Sequence, residues 1–299
     1  MLAARLTPKI MIWAMAIHLG LWLGFNLPAK LGWTENPWIA LGIIKTVGLS
    51  LAYLCAVALN LEIAGEYRKT PWLRVAWIAL AVNAGISILR MLIESPLINL
   101  FIDNYLGSPF YGLLQHLAII PANAFLLVGL AAMWWAYHHV GLGFKIGVRD
   151  WAAIIGILIL ICAIFWFREG LTEANSHYLV ARYLQLAGLC LLLFSAAASL
   201  VLHRMAIQMG GGKLAIALNF LTLYTLLRGV LVLAGAWNKI SAPEWQLLHP
   251  SHLQFIIQIG WQTVPWIALL AAAYRAELTV HAAKELEQQR ATKSDLVSV

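Results

Sequence analysis

Arg90 sits in AVNAGISILRML (81–92) and Arg228 in FLTLYTLLRGVLVL (220–233), two stretches otherwise built of apolar and neutral residues. An ionisable side chain in such a run is expensive unless it faces a polar interior, so it marks a functional site by default. The chemistry on offer is anion recognition, because a guanidinium fork matches a carboxylate or phosphate. Glu94, one turn beyond Arg90, could satisfy that residue by simple pairing. The sequence following Arg228, GVLVLAGAW, holds no acid, which makes Arg228 the sharper candidate.

Further polar groups fall at similar depth. Lys45 and Arg182 lie a turn or two inside apolar runs, where snorkelling to the headgroups competes with a binding role. Gln115 and His116 open the run 110–137, and Gln258 and Gln262 open the run 253–274. Asn83 and Asn219 read as hydrogen-bonding glue between helices. Pro121 and Pro265 each free a backbone carbonyl and bend their helix, which favours a cavity beside them.

Other chemistries find little support. A b-type haem needs two histidines at matching depth on facing helices, and His18 and His116 do not pair in this way. Two carboxylates do not occur together within an apolar run, and the zinc signature H-E-x-x-H is absent. GGGK at 210–213 lacks the remainder of a phosphate loop. Cys55, Cys162 and Cys190 lie singly in apolar runs and form no CxxC pattern. The sequence identifies no cofactor.

The elements that carry these residues are membrane spans. The chain has 299 residues, 62% hydrophobic and 11% charged, where soluble domains carry about 25% charge. Mean hydropathy is +0.80. A net charge of +7 would suggest nucleic acid in a soluble protein, but here the cations cluster in alternate loops as membrane topology demands. Runs of roughly 20 apolar residues occur near 9–27, 38–60, 72–93, 110–137, 150–167, 178–203, 214–236 and 253–274. The expected fold is all-α, a polytopic integral membrane protein with eight transmembrane helices. Arg68, Lys69, Arg74, Lys145, Arg149, Arg204 and Lys213 share one side with both termini, so the N- and C-termini are expected to be cytoplasmic. Arg5 and Lys9 precede the first run without a cleavage site, so a first span is expected there rather than a signal peptide.

Internal similarity divides the chain. Four matches in the same order align Lys45 with Arg182, Asn83 with Asn219, Arg90 with Arg228 and Pro121 with Pro265, at an offset of about 140 residues. This predicts two parallel four-helix repeats, 1–144 and 145–277, related by an axis along the membrane normal. Residues 278–299 follow as a charged, helix-favouring cytoplasmic tail that extends the last span.

Together these features predict a ligand-binding or sensory, signal-transducing module of the cell membrane, specifically a bacterial inner membrane. An outward-facing, cation-lined cavity would take an anionic or carboxylate-bearing small molecule or lipid. Its residues would be Arg228, Arg90, Gln115, His116, Gln258, Gln262, Lys45 and Arg182. Besides the lipid bilayer, a partner reached through the tail is expected, and nucleic acid is not. A small-solute or lipid transporter is the first alternative, and an electron-transfer or enzyme subunit using haem or quinone the second. Missing intramembrane Asp or Glu relays count against proton-coupled transport.

Overall fold

The structure, a computed structural model, describes residues 5–33, 37–93, 95, 108–142, 147–148, 151–152, 155–156, 159, 176–208, 212–240 and 250–297. It is all-helical over these residues. The long helices are α1 (Pro8–Lys30), α2 (Trp38–Glu66), α3 (Pro71–Ile93), α4 (Ser108–Tyr137), α5 (Ser176–Gln208), α6 (Lys213–Ile240) and α7 (Pro250–Val297). Among the described residues, seven helices are long and apolar enough to cross a membrane. The chain is a multi-pass membrane protein. The predicted fifth span, 150–167, lies largely outside the described residues, as does the segment 160–175 that leads to α5.

Local signals explain the helix ends. Thr7 caps α1 by accepting from the Ile10 amide at 3.5 Å, and Pro8 follows in the first turn, where its missing N–H costs nothing. The sequence places the end of the first span at residue 27, yet α1 continues through Pro28 to Lys30. A proline so near a C-terminus removes a single bond while the last turn still closes. The stop comes at Gly32, whose φ of +73° suits glycine and lets Trp33 N–H reach the Pro28 carbonyl at 2.9 Å. The predicted tail is continuous with the last span, forming one helix of 48 residues.

Packing follows chain order and then closes. α2 packs on α3, α3 on α4, α4 on α5, α5 on α6, α6 on α7, and α7 returns to α2. These six helices form a ring, and α1 sits outside it against α2 and α7. The ring interior holds Leu59, Ile63, Leu126, Met133, Leu202 and Leu269, all essentially inaccessible. α1 leaves Ile10, Trp13, Ile17, Leu21 and Phe25 exposed, an apolar face suited to lipid chains. Against hydrocarbon, helices associate by close packing and hydrogen bonds rather than by the hydrophobic effect.

One end of the ring is fastened by charge. Arg275 of α7 is buried, donates from Nε to Tyr67 Oη at 3.0 Å and lies 3.9 Å from Glu66 Oε2. Lys213, opening α6, pairs with Glu277 at 2.8 Å. These bonds hold the end of α2, the start of α6 and the middle of α7 together. The opposite end, where α1 and α3 finish and α2 and α7 begin, is open.

Candidate anion-binding cavity

Arg228 is 4% exposed, in the second half of α6. Its position follows from a polar network that crosses the ring. Nη1 donates to Tyr224 Oη at 2.7 Å, and Nη2 donates to Asn123 Oδ1 on α4 at 2.7 Å. Tyr224 passes its own hydrogen to Asn83 Oδ1 on α3 at 2.9 Å. Asn83 donates onward to the Ala122 carbonyl at 2.6 Å, and Asn123 donates to the Gly188 carbonyl on α5 at 2.8 Å. Buried polar groups must be paired to avoid a large desolvation cost, and this network pairs them across four helices. Every one of these partners is neutral. Among the described residues, no carboxylate pairs with Arg228.

The guanidinium borders a cavity of about 540 Å³ at the open end of the ring. α2 contributes Leu41 through Tyr53 to its wall, a separation of twelve residues and hence about 18 Å of depth at 1.5 Å per residue. Its deep end holds Arg228, Tyr53 and Ser87, with the Tyr53 phenol close to Ser87, Arg90 and Arg228. Lys45, Arg90 and Lys30 line the wall towards the mouth, so four cations share the space. Arg90 lies 5.6 Å over the Trp261 ring, which fixes the guanidinium plane against an indole face. No Asp or Glu occurs among the described lining residues.

α7 supplies the amide side of the cavity through Gln254, Gln258 and Gln262, at helical spacings of four. Gln262 is 2% exposed, and its Oε1 meets His18 Nε2 at 3.1 Å. His18 thereby pins α1 to the ring, with its imidazole also 5.7 Å from the Trp266 ring. Gly48 makes room for this contact, since a Cβ there would come within 2.0 Å of His18 Nδ1. Pro265 also borders the cavity, one turn below Trp261, whose carbonyl it leaves without an intrahelical donor.

Five of the expected site residues therefore meet in one place: Lys45, Arg90, Arg228, Gln258 and Gln262. The side chains of Gln115, His116 and Arg182 lie outside the described part of the structure. Arg90 and Arg228, aligned as counterparts in the two repeats, border a single cavity. Asn219 points away from it and bonds His203 Nδ1 at 2.8 Å, joining α6 to α5. Sequence reasoning missed Tyr224, Asn123, Tyr53 and Ser87, the neutral groups that hold or surround the buried cation. Tyr224 was within reach, because it precedes Arg228 by one turn on the same face.

Chemically, the site can bind and orient an anion. Guanidinium and ammonium groups supply charge, carboxamides and hydroxyls supply neutral donors, and the surroundings are of low dielectric, where such interactions are strong. Comparison of the chain with protein-family models, curated proteins and solved structures found no match.

Proposed function

We propose that the protein is a membrane receptor that binds a carboxylate- or phosphate-bearing small molecule, or an anionic lipid headgroup, in this cavity. One observation carries the proposal: Arg228 is buried, borders the cavity and, among the described residues, has only neutral partners. A buried cation without a counter-ion is costly, and an anion entering the cavity removes that cost.

The finer architecture belongs to the same proposal. Eight spans, with the fifth at 150–167, keep both termini cytoplasmic and turn the cavity outward, as the alternation of loop cations requires. The packing order supports two parallel repeats. α3 packs on α4 as α6 packs on α7, and α4 meets α5 as α7 meets α2. A bacterial inner membrane suits the basic loops.

Signal transmission is supported by α7. The helix that presents Gln258 and Gln262 to the cavity runs unbroken to Val297. At 1.5 Å per residue its 48 residues span about 72 Å, more than twice the roughly 30 Å hydrocarbon core. Movement at the cavity wall therefore reaches a cytoplasmic segment on the same rod, where a partner can read it.

The test is thermal unfolding of the purified full chain in detergent with citrate, inorganic phosphate or phosphatidylglycerol. At least one should raise the Tm of the wild type and leave Arg228→Gln unmoved, while choline chloride at equal ionic strength does nothing. Absence of a shift with all three anions would overturn the proposal. Accumulation of the bound anion in proteoliposomes would replace reception with transport.

A further inference from the structure

Beneath the floor of the cavity, on the far side of the Tyr224–Asn83 hydrogen bond, lies a second and much smaller space of about 20 Å³. Asn60 of α2, Trp77 and Asn83 of α3, and Tyr224 of α6 border it, with Ala271 and Ala272 of α7 closing one side. Asn60 is 6% exposed and Trp77 is 3% exposed. Among the described residues, Asn60 Oδ1 and Trp77 Nε1 find no hydrogen-bond partner. One is an acceptor and the other a donor, and both belong to residues that border the same chamber.

We propose that this chamber is a binding site for one structural water molecule. A water needs roughly 10–15 Å³ and two to four polar partners; the chamber has that volume, and four residues with polar side chains border it. The water accepts from the Trp77 indole N–H and donates one hydrogen to Asn60 Oδ1. Its second hydrogen goes to Asn83 Oδ1, whose carbonyl carries a second lone pair beside the one Tyr224 occupies. Both orphaned atoms are then satisfied, and no donor is left over on the water. The bridge carries the Arg228 network past Tyr224 and Asn83 to α2. The polar path from the cavity floor then joins five helices of the ring instead of four. The occupant is water rather than an ion, because no charged side chain borders the chamber among the described residues.

Two measurements on the full chain test the assignment. A map of the wild type that resolves ordered water should show a peak in the chamber within hydrogen-bond distance of Asn60 and Trp77. An empty chamber in that map overturns the proposal. Asn60→Leu, of nearly the same shape, should lower the Tm by expelling the water and orphaning its other partners. A dry chamber predicts the reverse, since the substitution would then remove an unpaired acceptor, and an unchanged or raised Tm counts against the water. Should Asn60→Leu fail to fold, the map of the wild type decides alone.

Discussion

Tyr224 stands between Arg228 and Asn83, accepting from the first at 2.7 Å and donating to the second at 2.9 Å. One hydroxyl therefore holds the buried cation in place and joins α6 to α3 across the ring. Replacing it with phenylalanine keeps the volume but takes the acceptor from a guanidinium N–H and one donor from a carboxamide oxygen. Each such loss costs about 1–3 kcal/mol in a buried site. Tyr224→Phe should therefore lower the Tm of the detergent-solubilised protein by several degrees and weaken anion-induced stabilisation. An unchanged Tm would show that the hydroxyl is dispensable.

The contrast between glycines gives a prediction about α1. A methyl group at Gly48 would strike the His18 ring at 2.0 Å, whereas one at Gly65, on the same helix, meets nothing within 4 Å. Gly48→Ala should displace His18 from Gln262 and cost about 1–3 kcal/mol through overpacking. Gly65→Ala should be neutral or stabilising by about 0.5–1 kcal/mol, because it reduces backbone freedom inside a helix. Thermal unfolding of the two variants side by side checks the difference, and equal effects would contradict the docking of α1 through His18.

The extent to which this could be read in advance depended on the kind of residue. Apolar runs of spanning length and turn signals such as EYRKTP are local, and they located the seven described helices to within a few residues, apart from longer ends on α2, α5 and α6. Arg90, Arg228, Lys45, Gln258 and Gln262 stood out because charged and amide groups are conspicuous in apolar sequence. Tyr224 and Asn123 did not. Neutral polar residues are tolerated in membrane helices, so nothing local distinguishes a tyrosine that props an arginine from one that faces lipid. Their role depends on Asn83, 141 residues before Tyr224, and on the Gly188 carbonyl, 65 residues after Asn123. Such pairings belong to the packing of the ring and have no signature in one chain segment.

Salt should separate specific binding from general attraction to the cations at the mouth. Lys30 is exposed, so its attraction for an approaching anion is screened over about 8 Å at physiological ionic strength. Arg228 is buried, and screening reaches it weakly. Raising sodium chloride should slow association of the bound anion while the dissociation rate changes little. Lys30→Ala should flatten that salt dependence and retain binding, in contrast to Arg228→Gln. Stopped-flow or surface-based kinetics on the purified protein measure both rates. A dissociation rate that climbs steeply with salt would move the main contact from Arg228 to the rim.

At the other end of the ring, two ionic contacts differ in what they are worth. Arg275 is 7% exposed and bound to the Tyr67 hydroxyl, with the Glu66 carboxylate 3.9 Å away. The Lys213–Glu277 pair is as short as 2.8 Å, but its side chains keep 34% and 30% of their surface exposed. Exposed pairs contribute about 0–1 kcal/mol, because water and salt screen them and two flexible chains must be ordered. Breaking a buried pair by removing one partner costs about 3–5 kcal/mol. Arg275 meets its carboxylate only at long range, so its loss should fall towards the lower part of that range. Arg275→Ala should therefore destabilise far more than Lys213→Ala, despite the longer ionic distance. The two Tm values, measured at low salt and again at high salt, check this. The Lys213→Ala effect should vanish at high salt, and the Arg275→Ala effect should persist. If both effects vanished, the clamp at this end would be a surface interaction, and the fixed end of α7 would need another anchor.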